Sequence, residues 1–260
     1  MDYSRELTLM RRRHSIWQAI GVTILFGAGS MLRPLCALAQ ADGVGGFVAL
    51  TSNYIYRAAT ETANEPALQL DLHYYAVSGW IAGLWASNVR QSAAAPTGAE
   101  FDPYLGYGHA FSDQWSARLS AVEHAYAGTN PGSQSDFTEL SGTVAYRSAA
   151  FLTLSVSPNT QVQNDVYGYN YGSARRTALT ADFSLHRSLG HALSANAGVG
   201  YYRLAHLYSN GYGYGSAGLG YDAGALHLDL SFIGVSGAAH DFYANGEACN
   251  RLIGTAMWHF

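Results

Sequence analysis

Residues 251–260 read RLIGTAMWHF, and the character of the side chain changes at every second position. One parity holds only small or apolar side chains: Leu252, Gly254, Ala256, Trp258 and Phe260. The other parity holds the polar residues Arg251, Thr255 and His259, together with Ile253 and Met257. Successive side chains of a β-strand point to opposite faces. The stretch is therefore predicted to be a strand with one lipid-compatible face and one mixed face.

The same alternation recurs throughout the chain after residue 40. Predicted strands lie near residues 46–57, 67–76, 80–89, 99–109, 114–126, 136–147, 150–158, 176–187, 192–204, 213–222, 225–236 and 250–260. In the segment 225–236, for example, apolar residues alternate with His227, Asp229 and Ser231. An even number of strands with apolar residues outside and polar residues inside is typical of outer-membrane barrels. The alternative is a soluble β-sandwich, which would bury the apolar face.

The connections between these segments alternate in length, which gives the predicted barrel an orientation. Short links lie near residues 77–79, 111–113, 148–149, 189–191 and 222–224, and longer ones at 58–66, 90–98, 127–135, 159–175, 205–212 and 237–249. Outer-membrane barrels have short periplasmic turns and longer external loops. The predicted fold is all-β, a transmembrane antiparallel up-and-down barrel of about 12 strands with both termini in the periplasm.

The composition also favours a wall that faces lipid. Charged residues make up 12% of the 260 residues and aromatic residues 13%, while the mean hydropathy is −0.03. Soluble domains usually carry about 25% charged residues. The chain has no lysine, and without residues 1–39 it keeps 9 basic and 16 acidic residues, a net charge of −7. This balance argues against a nucleic-acid partner.

The first 39 residues are predicted to be a signal peptide that leaves one barrel domain, residues 40–260. A basic start precedes a mostly apolar stretch, and Ala37-Leu38-Ala39 offers a small-x-small cleavage site. A retained membrane anchor is the alternative, but the apolar stretch is short for a spanning helix. Cleavage near Ala39 would remove Cys36 and leave Cys249 as the only cysteine, so no intramolecular disulfide could form. The expected location is the outer membrane, and the expected partners are its lipid, periplasmic chaperones and the barrel-insertion machinery.

Aromatic residues of the apolar parity gather near both ends of the predicted strands. Near the inferred periplasmic rim these are Tyr107, Trp115, Tyr146, Tyr221 and Trp258, and near the opposite rim Tyr54, Tyr56 and Tyr201. Tyr and Trp suit such positions because an apolar ring carries a polar tip that reaches the headgroups. The terminal strand, with Trp258 and a final Phe260, resembles the C-terminal signal of bacterial outer-membrane barrels.

Motifs in the first third of the barrel segment resemble one family. They read LTSNYIYR at residues 50–57, PALQ at 66–69, GWIAGLWASNV at 79–89 and EFDPYLGY at 100–107. These motifs are similar to those of the TorF-type porins of proteobacteria, a family of outer-membrane proteins whose transport role is largely inferred. The resemblance implies a barrel and a pore, with no catalytic or ligand residues to carry over. Ala58 stands where the family's Gly is expected, which leaves the turn of the first loop open.

The face opposite the apolar one contains the candidates for lining a pore. They are Arg57, Asp71, His73, Glu100, Asp102, Arg118, Glu139, Asp182, His186, His227, Asp229 and Arg251. Because acids outnumber arginines, we predict a narrow channel for small solutes or ions with a modest cation preference. Histidines in the lumen would also make conductance change as the pH falls through about 6.5. No cofactor and no metal are predicted. Glu123 has the outward parity and is expected above the lipid or beyond a bulge, and no role is assigned to its neighbour His124.

Three alternatives to a channel stay open at this stage. The lumenal charges could pair across a filled lumen in a closed structural barrel, because 12 strands lie between filled and open sizes. A lipid-modifying enzyme could use the same-face pairs Asp71/His73, Asp182/His186 or His227/Asp229, although no nucleophile motif accompanies them. An adhesin or receptor could use the Tyr- and Gly-rich loop segments 167–172 and 210–215.

Overall fold

A computed structural model describes residues 42–90, 94–128, 136–161, 175–204, 211–243 and 246–260. The strands are β1 (Gly43–Thr51), β2 (Ile55–Tyr56), β3 (Ala59–Thr60), β4 (Ala67–Tyr75), β5 (Trp80–Val89), β6 (Gly98–Ala110), β7 (Trp115–Ala127), β8 (Phe137–Tyr146), β9 (Ala150–Gln161), β10 (Arg175–Gly190), β11 (Leu193–Leu204), β12 (Tyr212–Ala223), β13 (Leu226–Val235) and β14 (Arg251–His259). One short helix, α1 (Ala238–Phe242), precedes the last strand.

Twelve of these strands form a closed antiparallel barrel, and this confirms the prediction of an all-β barrel of about 12 strands. From β4 to β14 each strand pairs with the next along the chain, while β1 pairs with β4 on one side and with β14 on the other. Closure leaves the barrel without a free sheet edge, so the backbone groups of every wall strand have neighbours on both sides. The turn end carries the short connections 76–79, 111–114, 147–149, 191–192 and 224–225, and the loop end carries the long ones.

The outer face is apolar and the inner face is largely polar. In β4, Leu68, Leu70 and Leu72 are exposed, whereas Gln69 and Asp71 between them are buried. The same pattern recurs in the other wall strands, as the two-residue period predicts. A soluble barrel would place its apolar side chains inside. Within the described residues, no helix has the length and hydropathy of a membrane-spanning helix.

The first strand is shorter than predicted, because the chain leaves the wall at Thr51. Residues 52–66 form an inserted hairpin, in which β2 pairs with β3. Its two central residues, Arg57 and Ala58, have φ values of 48° and 66°. Positive φ at both central positions is the mark of a type I′ turn. Ala58 thus adopts the conformation that the family's Gly would take more easily, at a cost of about 1–2 kcal/mol.

This hairpin lies inside the barrel and overturns two predictions about aromatic residues. Tyr54 was expected at the lipid rim, but it is buried and its ring packs 5.2 Å from that of Trp85. Tyr56 was also expected at the rim, but its ring lies 5.6 Å from that of His124 on the inner face of β7. The alternation continues unbroken through these residues, so the period alone could not show that the strand had ended.

Described residues of the connection before β14 pack over the hairpin at the loop end. The Ala239 and Ala248 side chains are fully buried, and Ala248 forms an isolated β-bridge with Ala59 of the hairpin. The backbone N–H of Thr60 donates to the carbonyl of Glu247 at 3.1 Å. Two connections therefore fill the loop half of the lumen together.

Glu123 occupies a regular position on the wall. Its Oε2 accepts a hydrogen bond of 2.5 Å from Thr138 Oγ1, and the pairing of β7 with β8 runs without a register shift. Of the two explanations expected for Glu123, the bulge is absent from this pairing, and a position above the lipid stays a prediction. The neighbouring hydroxyl gives this outward carboxylate a polar partner close to the loop end of both strands.

Candidate functional site

An ion pair anchors the tip of the inserted hairpin to the opposite wall. The Arg57 guanidinium forms a salt bridge with the Glu139 carboxylate on β8, and both side chains are almost completely buried. Tyr56 Oη also donates to this carboxylate at 3.3 Å. The guanidinium carbon lies 4.6 Å from the ring centre of Tyr56 and 5.1 Å from that of Tyr202. A buried charge needs such partners, because desolvation of an unpaired ion costs several kcal/mol.

Tyrosines on β11 and β12 complete this contact. Tyr212, which is fully buried, donates through its hydroxyl to the carbonyl of Arg57 at 2.9 Å. Its ring packs against those of Tyr202 and Tyr243, with centroids 5.5 and 5.7 Å away. Tyr214 donates to Asp182 Oδ1 at 2.7 Å. The loop half of the lumen is consequently a packed aromatic and ionic interior.

Short polar side chains hold the base of the hairpin. Asn53 Oδ1 accepts hydrogen bonds from the hydroxyls of Thr60 at 2.6 Å and Thr62 at 3.0 Å. Asn64 Oδ1 accepts from the Asn53 amide and from the guanidinium of Arg251 on β14. The hairpin is therefore tied to the wall beside it as well as to the wall across the lumen.

A second buried group lies beside the hairpin, on β6 and β7. His124 Nδ1 lies 3.1 Å from Glu100 Oε1 and 2.9 Å from Asp102 Oδ2. The side chains of all three residues are at most 1% exposed. The His124 ring stacks on Phe137 with centroids 4.3 Å apart and an interplanar angle of 18°. Two carboxylates thus face one imidazole without contact with bulk water.

The turn half of the lumen contains separate polar pairs. His73 Nδ1 lies 2.5 Å from Asp71 Oδ1, and Tyr104 Oη donates to Asp71 Oδ2 at 2.9 Å. His227 Nδ1 lies 2.7 Å from Asp222 Oδ1. These contacts orient both imidazoles on the inner face of the wall.

Short hydroxyl side chains line much of the remaining inner wall in this half. Ser120 and Ser141 are joined by a hydrogen bond of 2.9 Å, and Thr143 and Thr153 by one of 2.8 Å. Ser120, Ser141 and Thr153 keep partial exposure, as does His186 further round the wall. This half is thus less densely filled than the loop half.

The structure places the predicted lining residues at or near the inner face, in different environments. The buried ones are Arg57, Asp71, His73, Glu100, Asp102, Arg118, Glu139, His227 and Asp229, and the half-buried ones are Asp182, His186 and Arg251. Arg57 belongs to the hairpin and not to a wall strand, contrary to its predicted place in the first strand.

Of the three acid–histidine pairs considered for catalysis, only Asp71 with His73 makes the expected contact. His227 contacts Asp222 instead, and Asp229 accepts hydrogen bonds from the Asn196 amide and the Ser231 hydroxyl. Asp182 accepts from a tyrosine, as described above. Same-face spacing within one strand could not reveal Asp222, Asn196 or Tyr214 as partners, because each lies on a different strand from the residue it contacts.

Three residues of the packed interior were not among the predicted lining residues: His124, Tyr212 and Tyr214. His124 shares its parity with Arg118 on β7, so the period already placed it inside. The tyrosines lie at the start of β12, where the Tyr-Gly run was interpreted either as part of an external loop or as a strand end with an aromatic rim. Extending the two-residue period of β12 back to its first residues would have placed both tyrosines on the inner face.

Two acids in the long connections have raised pKa values. Burial, followed by the charges of Glu100 and Glu247, raises the pKa of Glu61 to about 8. Burial also raises the pKa of Glu247. The loop end thus concentrates carboxyl groups in surroundings that disfavour their ionised form.

One known protein family matches most of the chain. A family model described as "Bacterial protein of unknown function (Gcw_chp)" matches residues 39–260. The chain belongs to the Gcw_chp family. The more specific TorF-type assignment is not confirmed by this match. A search of curated proteins gave no match.

Solved structures similar to this Gcw_chp protein are outer-membrane barrels. The NanC porin has a TM-score of 0.56 and 11% identity, with 83% of this chain and 98% of that chain covered. The KdgM porin has a TM-score of 0.47 and 10% identity, with coverages of 85% and 99%. LpxR from Salmonella typhimurium has a TM-score of 0.45 and 10% identity, with coverages of 83% and 99%. The likeness to NanC shows a shared fold.

Proposed function

We propose that this Gcw_chp protein is a narrow outer-membrane channel for small ions or solutes, closed at its loop end by the inserted hairpin. The observation that carries the proposal is the contrast between a polar wall and a separate element that fills its lumen. The hairpin is held by side-chain contacts and enters through connections at one end. Its displacement would widen the lumen without breaking the wall.

The proposal includes an orientation and a route to the membrane. Residues 1–39 act as a cleaved signal peptide, and chaperones and the insertion machinery then receive the terminal strand with Trp258 and Phe260. The turn end and both termini face the periplasm, because outer-membrane barrels place short turns there. The hairpin then closes the external side.

We also propose a modest cation preference. Asp71, Asp222 and Asp229 lie around the half of the lumen that the hairpin leaves less filled. Carboxylates along a pore lower the energy of a passing cation and raise that of an anion. Glu100 and Asp102 were also predicted to set selectivity, but their fully buried side chains would have to become accessible before they could contact a permeating ion.

A closed structural barrel is the second candidate. The buried Arg57–Glu139 ion pair favours it, since this contact joins the inserted hairpin to the opposite wall and holds the hairpin in the lumen. A catalytic role is not proposed, because the histidine pairs described above also suit a lining that only orients polar groups.

The test is single-channel recording in planar bilayers with asymmetric KCl. Refolded Gln40–Phe260 is compared with a variant in which residues 53–65 are replaced by a short Gly-Ser linker. We expect small, cation-selective steps from the first and several-fold larger steps from the second. The matched control shortens the connection 128–136 and should leave conductance unchanged.

Folded, inserted protein that conducts in neither form would establish the closed barrel. Phospholipid hydrolysis by the wild type that is lost in His73→Ala would instead restore the enzyme alternative. Binding to cells that depends on the external loops, without conductance, would favour an adhesin or receptor.

A further inference from the structure

The group Glu100, Asp102 and His124 lacks the partners that its buried charge requires. Glu100 Oε2 and Asp102 Oδ1 have no hydrogen-bond partner among the residues that the structure describes. Two carboxylates buried side by side repel each other, and a buried ion is stable only when it is paired or binds a metal. The nearby Arg57 already pairs with Glu139. The imidazole alone cannot balance two carboxylates.

The geometry of the three side chains suits a metal ion. One ligand atom from each residue can be chosen so that all three lie within 4.8 Å of one another. Around an ion with bonds of about 2.1 Å, neighbouring ligand atoms lie roughly 3.0–3.4 Å apart. The measured contacts of His124 Nδ1, 3.1 Å to Glu100 and 2.9 Å to Asp102, fall close to this spacing.

The hairpin brings a fourth oxygen towards the same place. Tyr54 is 4% exposed, and its hydroxyl has no hydrogen-bond partner within the described part of the chain. Its ring packs on Trp85, which lies directly opposite Asp102 in the pairing of β5 with β6. An unsatisfied buried hydroxyl is thus available to an ion or to a water bound to it.

We propose that Glu100, Asp102 and His124 bind one divalent transition-metal ion inside the barrel, beside the inserted hairpin. One imidazole nitrogen with two carboxylates favours Zn²⁺ or a neighbouring first-row ion over Mg²⁺ or Ca²⁺, which prefer ligand sets made only of oxygen. Phe137 stacks on the His124 ring, and Tyr56 packs against both rings at an angle. The ion therefore joins β6 and β7 at the place where the hairpin packs. This inference does not depend on the channel function.

The test refolds Gln40–Phe260 in detergent with a small excess of Zn²⁺, removes unbound metal by gel filtration and measures the zinc content of the folded fraction. We expect one Zn²⁺ per chain, because a site without solvent exposure should release its ion slowly. A tenfold excess of Mg²⁺ or Ca²⁺ during refolding should not displace it.

Variants identify the ligands. His124→Gln, Glu100→Gln and Asp102→Asn should each lower Zn²⁺ affinity by more than the roughly 10- to 100-fold typical of a residue that only supports a ligand. His227→Gln is the matched control, a buried lumenal histidine beside a single carboxylate, and it should keep one Zn²⁺ per chain. The conservative Gln and Asn replacements remove buried charge, so folding should persist and can be checked by circular dichroism.

Wild-type protein that folds without retaining Zn²⁺, Co²⁺ or Mn²⁺ would overturn the proposal. Zinc that stays bound in His124→Gln at the wild-type stoichiometry would also overturn it, because the ion would then lie elsewhere in the chain.

Discussion

The loop half and the turn half of the lumen are enclosed by the same twelve strands, yet they are filled in different ways. In the loop half, side chains from a separate hairpin meet Glu139, Tyr202 and Tyr212 from the wall. In the turn half, wall residues such as Asp71 and His73 bond mainly to one another. The two-residue period of a strand therefore shows which residues point inward, but not which groups they contact there.

The largest expected effect comes from breaking the ion pair in the loop half. Arg57→Ala leaves Glu139 buried without its cation, which should lower the free energy of unfolding by about 3–5 kcal/mol. Urea titration of refolded protein in lipid or detergent measures it. The double variant Arg57→Met with Glu139→Gln, which removes both charges, should recover most of the loss. A loss below about 1 kcal/mol in Arg57→Ala would mean that the pair is effectively solvated.

A smaller loss is expected from overfilling the turn half. A Cβ added to Gly83 would lie 2.5 Å from the Tyr104 hydroxyl and 2.7 Å from His73 Cβ. Gly83→Ala should therefore cost about 1–3 kcal/mol of unfolding free energy. Gly254→Ala is the control, because no described atom lies within 4 Å of its added Cβ. Equal free energies of unfolding for the two variants would show that Tyr104 and His73 move aside more easily than these short distances imply.

Removing one hydroxyl from the loop half should have a still smaller effect. Tyr212→Phe loses the hydrogen bond to the Arg57 carbonyl, worth about 0.5–1.5 kcal/mol. Tyr221→Phe, an exposed position on the outer face of the same strand, serves as the control. The two variants should also differ in conductance, since only the first loosens the hairpin. Identical conductance in the two variants would show that the Tyr212 hydroxyl does not help to hold the hairpin in the lumen.

The loop end should lose stability as the pH rises. Glu61 has a pKa of about 8 in the folded protein against an ordinary value near 4.5, so the unfolded state releases this proton first. Its contribution is greatest below pH 4.5 and falls as the pH approaches 8, with Glu100, Glu247, Asp102 and His124 as the neighbouring charges. Conductance recorded in chelator between pH 5 and 9 should increase, and Glu61→Gln should flatten the change. A flat profile in the wild type would contradict this account of the hairpin.

The turn end should show a weaker dependence of opposite sign. Hydrogen bonds from the Val77 backbone and the Tyr74 hydroxyl lower the pKa of the exposed Asp42. Its small contribution is present above the ordinary pKa near 3.8 and is lost as the pH falls through the lowered value. Unfolding measured from pH 5 to pH 2 should reveal a difference between wild type and Asp42→Asn that disappears at the acid end. A difference that persists at pH 2 would assign the effect to the amide itself.

The sequence specified the wall better than the lumen, for a physical reason. Lipid outside and polar groups inside impose a period of two on each wall strand, so segments such as 67–75 and 80–89 could be located from parity alone. The inserted hairpin obeys local turn chemistry and has no such constraint. Tyr54 and Tyr56 continue the alternation of β1, yet they contact residues on other strands across or along the lumen.

In the candidate site, too, the inward orientation of the residues was predictable and their contacts were not. Glu100 and Asp102 were placed inside by their parity on β6, while their meeting with His124 depends on the register between β6 and β7. Register is set by the pairing of whole strands, and a single sequence gives no direct signal of it. Once register is known, a histidine with no assigned role becomes the centre of a buried group.

The contact between Arg57 and the far wall also sets an order of assembly. Its partners Glu139 and Tyr212 lie 82 and 155 residues further along the chain. Contacts of such sequence separation form late, because a long loop must close before they gain any energy. The hairpin is synthesised early, but it can form both contacts only after β12 has joined the sheet. A newly inserted barrel should therefore pass through a short-lived unplugged intermediate.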